Sequence, residues 1–177
     1  MQRPSGLVRR TPTLAGRAGG RAAAGAGAVS AAAARSARSG SGHRLLPHTA
    51  DCLIEAWGPD RPACVAEALA AMVDAFVEVP DASATKVLPV AAPQGASDAD
   101  ALVSLLEDVL YVVDVLGVVP VRVHLAETED GGLAGDLEVV PLARARVVGP
   151  VPKGVSYHGL EMGRDEGGWR CRVLLDV

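Results

Sequence analysis

The chain has 177 residues, 17 of them Lys or Arg and 21 Asp or Glu, for a net charge of −4, and this length suffices for one domain with a real core. Residues 1–50 hold eight Arg and no acid, leaving nine basic against 21 acidic residues, a net of −12, for residues 51–177. A globular part this acidic argues against stable nucleic-acid binding by broad phosphate neutralisation and suits a cation or a basic protein surface better.

Residues 1–42 are Ala, Gly, Arg and Ser with scattered Pro. Such a segment cannot build a core and reads as a disordered tail. Its Arg and Ser content also resembles an organelle transit peptide, and a mis-assigned start is the blander account. An ordered domain is expected over 43–177. With one Phe, two Tyr and two Trp in the whole chain, its core must come from Val, Leu, Ala and Ile.

The stretch PHTAD reads as a turn, followed by a strand over 51–57. GPDRP breaks that strand. Asp60 can cap the next helix and Pro62 fits its first turn. That helix is expected over 61–79, with Val65, Leu69, Met72, Val73, Phe76 and Val77 on one stripe. A strand over 85–90 follows, and Ser97 and Asp100 form a plausible capping box for a second helix over 99–116. This helix buries Leu102, Leu105, Leu106, Val109, Leu110 and Val113, and exposes Glu107, Asp108 and Asp114. Gly117 closes it. Strands over 118–126 and 133–140 flank the turn ETEDGG, and PLARARVVGPVP reads as irregular.

The chain closes on a hairpin, with arms over 153–162 and 168–177 and GRDEGG between them. In the return arm Trp169, Cys171, Val173 and Leu175 share one face, while Arg170, Arg172 and Asp176 share the other. The order β-α-β-α-β-β-β-β predicts an α+β fold. It would be a two-layer β/α sandwich, with two amphipathic helices packed on a mixed, largely antiparallel sheet of about six strands.

Equipment for catalysis is missing from the pattern: there is no phosphate-cradling Gly-rich loop, nucleophile elbow or HExxH. Ser156 and His158 flank Tyr157, but a Ser–His nucleophile is improbable there. Cys52, Cys64 and Cys171 form no CxxC and indicate neither a disulfide framework nor a zinc site. They read as small half-buried residues in a reduced compartment. No apolar run is long enough to span a bilayer. Two spots stand out: the carboxylate of Asp51 at the junction of turn and strand, and the 153–158 run together with Asp176-Val177. Carboxylates at the start of one strand and the end of another can meet if the strands are neighbours, and oxygen-rich sites bind hard divalent cations. The alternative is an Asx turn at Asp51 and a solvated end at Asp176.

In combination, PHTAD before a strand, the helix DALVSLLEDVLYVVD, the segment VPKGVSYHGLEM and the terminal LLDV resemble the archease family, over about residues 45–177. The resemblance implies a protein cofactor and not an enzyme. Its partner would be an RtcB-type RNA-splicing ligase of tRNA splicing and RNA repair. The chain would promote GTP-dependent guanylylation of the ligase's active-site histidine and so permit multiple turnover, in the cytoplasm. It implies a divalent metal, calcium, held by Asp51, Asp176 and an oxygen of Val177. It implies that Lys153, with His48, Tyr157 and His158, serves activation and partner contact. Departures occur at Leu106 and Glu107, where a Trp-Leu-Asn pattern is common in the family, and at Pro152 and Gly154. A chaperone-like module with an acidic face is the alternative function, and a small metal-dependent hydrolase the third.

Overall fold

The computed structural model describes residues 40–46, 51–81 and 83–177. In chain order these form β1 (Gly42–Leu46), β2 (Cys52–Gly58), α1 (Arg61–Asp74), β3 (Val77–Glu78), β4 (Lys86–Ala91) and α2 (Asp98–Asp114). Then come β5 (Val118–Glu127), β6 (Leu133–Pro141), a short 3-10 turn (Leu142–Arg144), β7 (Arg146–Val147), β8 (Gly154–Asp165) and β9 (Gly168–Asp176). The α+β class and the two amphipathic helices stand as expected. The strands, however, make three sheets among the described residues, in the orders β1-β2-β9-β8, β4-β6-β5 and β3-β7. Every pairing between them is antiparallel, so the sheet is not mixed.

Both helices begin where their caps dictate. The Asp60 carboxylate accepts from the Ala63 amide at 2.8 Å, and the Ser97 hydroxyl accepts from the Asp100 amide at 3.2 Å, in each case satisfying a donor the helix itself leaves orphaned. The first helix ends at Asp74 and not at residue 79. The β-branched Val77 and Val79 and the extended backbone favoured before Pro80 draw the chain out of the helix. Val77 and Glu78 pair instead with Val147 and Arg146. The stretch read as irregular thus contributes β7.

The predicted stripes are the core. Val65, Leu69, Met72, Phe76, Leu102, Leu105, Leu106 and Val109 are fully buried, with Ile54, Val173 and Leu175 facing them from the first sheet and Leu137 and Val139 from the second. The first helix packs on β2, β1 and β9 and also on β5, while the second packs chiefly on β8 and β5. Burying so many large aliphatic side chains, at about 1.5–3 kcal/mol each before entropy is charged, is what holds sheets and helices together.

Strand β1, absent from the sequence expectation, pairs in full register with β2, from Gly42↔Trp57 to Leu46↔Leu53. The Trp57 ring packs closely over Gly42, where a Cβ would lie 2.9 Å from it. One face of this sheet carries a row of alternating charge, Arg44↔Glu55↔Arg172↔Glu161, across all four strands. Glu55 is only 6% exposed and takes a hydrogen bond from Arg44 Nε at 2.6 Å, with Arg170 Nη1 at 3.5 Å. The row pins the register, because a one-residue slip would put Glu55 among the apolar residues of the other face.

Candidate functional site at the end of the first sheet

Three chain segments converge at one end of the first sheet. The last registered pair of β2 and β9 is Cys52↔Leu175, so Asp51 and Asp176 each lie one residue beyond it, on adjacent strand ends. On the other side of β9, Gly154 is the partner of Asp176, and the Lys153 amide donates to the Asp176 carbonyl at 2.8 Å. The strand ends that carry Asp51, Asp176 and Lys153 therefore lie side by side, in the order β2, β9, β8. The Asp176 carboxylate leans over Gly154, where an added Cβ would stand 3.8 Å from its Oδ2.

Local sequence explains this geometry. Pro152 is buried and fixes the approach to β8, yet its missing N–H costs the ladder nothing, because the first bond of that ladder comes from Lys153. The apolar alternation of β9 holds Cys171, Val173 and Leu175 in the core and so directs Asp176 to the face of Leu174 and Arg172. Asp176 and Lys153 are exposed, and Asp51 and Val177 half-buried. Asp51 has an interaction of its own within the chain.

The other expected residues lie elsewhere. Strand β8 runs on to Asp165, three residues past the expected arm, and the loop to β9 shrinks to Glu166 and Gly167. It also contains a large bulge. Five steps along β8, from Ser156 to Glu161, face two along β9, from Leu174 to Arg172, so three residues are extra. Tyr157 and His158 sit on this bulge, three and four residues beyond Gly154. Gly159, with φ +67°, makes the reversal. The Tyr157 hydroxyl donates to Asp100 Oδ1 at 3.1 Å, tying the bulge to the start of α2. The Ser97 and Tyr157 hydroxyls hold the Asp100 carboxyl below its ordinary range. Local desolvation and the Asp100 bond push the Tyr157 phenol up. His48 lies outside the described residues.

The donors that Asp51, Asp176 and the main chain of Val177 can offer are all oxygens. This is the chemistry of a hard cation such as calcium. Among the described residues no group of three or more His, Cys, Asp or Glu side chains forms a metal-binding cluster. A cation needing six to eight oxygens would have to complete its shell with water, main-chain carbonyls or a partner. Cys64 and Cys171 are buried against each other, and their contact together with burial drives the Cys64 thiol strongly up. Such thiols are inert, as expected of core residues. No helix among the described residues is long and apolar enough to cross a membrane.

Residues 43–177 match the sequence model of the Archease protein family (MTH1598/TM1083). The chain is 40% identical over 139 residues to the "probable protein archease" of two Mycobacterium tuberculosis strains, covering 77% of this chain and 75% of theirs. Its fold resembles the solution structure of Methanobacterium thermoautotrophicum protein 1598, with a TM-score of 0.58 and 22% identity over 77% of this chain and 99% of that one. It also resembles the crystal structure of an archease from Thermotoga maritima, described as a possible chaperone, with a TM-score of 0.53 and 20% identity over 76% and 96% of the two chains. Motifs, architecture and relatives agree, and the chain belongs to the archease family.

Proposed function

We propose that this protein is a cofactor of an RtcB-type RNA ligase in tRNA splicing and RNA repair. It acts in the cytoplasm and performs no catalysis of its own. In this reading it promotes transfer of GMP from GTP to the ligase's active-site histidine and so restores the ligase after each turnover. The observation that supports it best is that the strand ends bearing Asp51, Asp176 and Lys153 lie at one end of the sheet, held by the Cys52↔Leu175 and Gly154↔Asp176 pairings.

Asp51, Asp176 and the main chain of Val177 would hold a divalent cation, with calcium the best match to an all-oxygen set. A bound divalent ion supplies charge that compensates the negative phosphates of a guanylylation site. The chain's own residues do the placing. The two carboxylates fix a point of charge at an exposed tip. Lys153 is locked to Asp176 through its backbone, and its ammonium is suited to a phosphate or a carboxylate of the partner. Preorganisation of this kind costs nothing at the moment of reaction.

Turnover counting tests the proposal. Purified ligase, GTP and cleaved RNA are mixed with wild-type protein, Asp176→Ala or Asp51→Ala. Wild type should give many turnovers, and each variant about one per ligase while remaining folded. Equal turnover with both variants sinks the reading. Stimulation of unrelated client proteins without a metal requirement would favour the chaperone-like alternative, the sense in which the Thermotoga protein is described.

A further inference from the structure

Both helices pack on the face of the first sheet that carries Ile54, Ala56, Cys171, Val173 and Leu175. Strand alternation turns Glu55, Trp57, Arg170, Arg172 and Leu174 to the opposite face. Three rows of residues cross that open face. The middle row is Arg44↔Glu55↔Arg172↔Glu161. On one side of it runs Gly42↔Trp57↔Arg170↔Gly163, and on the other Leu46↔Leu53↔Leu174↔Ser156. The chain itself uses only half of the middle row. Arg44 bonds Glu55, but Arg172 and Glu161, opposed in register and both exposed, form no ion pair among the described residues.

Four alternating charges read backwards are their own complement, plus against minus at every position. A two-fold axis along the strands, between β2 and β9, performs that reversal and lays the face on a second copy of itself. Arg44 then meets Glu161 of the second copy and Glu55 meets its Arg172, each pairing occurring twice. The flanking rows obey the same rotation. Trp57 faces Arg170, a cation–π arrangement, and Leu53 faces Leu174. Gly42 faces Gly163 at the corner, where neither has a side chain to obstruct the approach.

We infer that this face is an isologous homodimer interface. The dimer does not depend on the ligase reading above. Charge also decides against the chain's own amino-terminal segment as the occupant. Residues 1–39 hold seven Arg and no acid, a poor match to a face bearing Arg44, Arg170 and Arg172 against two Glu. Four strands make the face about 19 Å wide, so the contact belongs at the small end of specific interfaces and the dimer is concentration-dependent. Sheets packed face to face cross at about 30°, which draws the strand ends apart and leaves the acidic end at Asp176 outside the contact. Because the axis runs along the strands, both copies present that end in the same direction.

Sedimentation equilibrium of the full chain, from micromolar to millimolar concentration, measures the self-association, with Tm recorded beside it. Wild type should dimerise reversibly. Glu161→Arg and Arg44→Glu each set like charges against each other at both ends of the middle row, and should weaken the homodimer at least about tenfold. An equimolar mixture of the two variants restores Arg against Glu at both ends and should dimerise as wild type does. A purely intrachain role for either residue predicts no such rescue. Glu161 is exposed, so Glu161→Arg should keep the wild-type Tm and tests the face even where Arg44→Glu loses its fold. A wild-type monomer across the whole range, a Glu161→Arg dimer of wild-type affinity, or a mixture of folded variants that stays monomeric overturns the inference. A wild-type monomer whose Tm falls on deletion of residues 1–39 would assign the face to that segment. A monomer that binds the ligase and loses that binding in Glu161→Arg would assign it to the ligase. Either outcome overturns the homodimer.

Discussion

The Lys153 amide donates to the Asp176 carbonyl at 2.8 Å, so the proposed activating lysine and the proposed metal-binding aspartate cannot move apart without breaking the first rung of the β8–β9 ladder. Their coupling is a backbone property, and side-chain substitutions at either position should leave it in place. This separates cation binding from folding. Calcium at about 100 times its Kd stabilises a folded protein by about 2.7 kcal/mol, a rise in Tm of about 10 °C for a domain of this size. Asp51→Asn and Asp176→Asn should each erase most of that rise, and Lys153→Ala should not. A calcium response undiminished in the Asp51→Asn/Asp176→Asn double variant, followed by calorimetry, would show that the sheet end holds no cation.

A second ionic device lies at the edge of the same sheet. His43 of β1 places Nδ1 2.7 Å from Glu67 Oε2 and Nε2 3.1 Å from Asp74 Oδ2, both carboxylates on α1. With a carboxylate at each nitrogen the imidazolium is the favoured form. The Asp74 bond raises the His43 pKa most, burial opposes it, and Glu67 adds to the rise. A folded pKa raised above the unfolded value means stability that is fully present below about pH 6.5 and is lost as pH climbs through the folded value. His43→Gln should therefore cost more at pH 6 than at pH 9. Asp74 is 64% exposed, so solvent screening limits the difference to about 1 kcal/mol at most. Urea titrations of both proteins at the two pH values measure it. A cost that grows with pH would contradict the imidazolium bridge.

What the sequence disclosed, and what it hid, follows from where each element gets its definition. Strand β9 was legible because Cys171, Val173 and Leu175 alternate against charge, and the core confirms that alternation. The stripe of α1 was legible for the same reason at helical period. Strand β1 was not, because both of its faces are polar. His43 turns to the acids of α1 while Arg44 reaches Glu55 on the far face, so only the pairing with β2 makes GHRLL a strand. The two-residue β3 and β7 likewise exist only through each other. For the site, carboxylates at a strand start and a strand end could be read from the chain. That their strand ends lie side by side could not, since it needs the order β2-β9-β8. Nor could the separation of Lys153 from Tyr157 and His158, which depends on counting three extra residues into a bulge.

That bulge is the last feature with a measurable consequence. Gly159 sits at φ +67° with nothing within 4 Å of where a Cβ would be. A substitution there therefore meets only backbone strain and no clash. Gly159→Ala should cost about 1 kcal/mol, and the β-branched Gly159→Val about 2 kcal/mol, since side chains disfavour the left-handed region. The core stays intact, so the denaturant m-value should not change. The strain is relieved by flattening the bulge, which pulls Tyr157 off Asp100. The Tyr157 phenol should then titrate closer to its ordinary value in an ultraviolet pH titration, and Tyr157→Phe should abolish that difference between the glycine and valine proteins. A Gly159→Val protein as stable as wild type, with an unaltered phenol titration, would show that the bulge does not depend on the left-handed glycine.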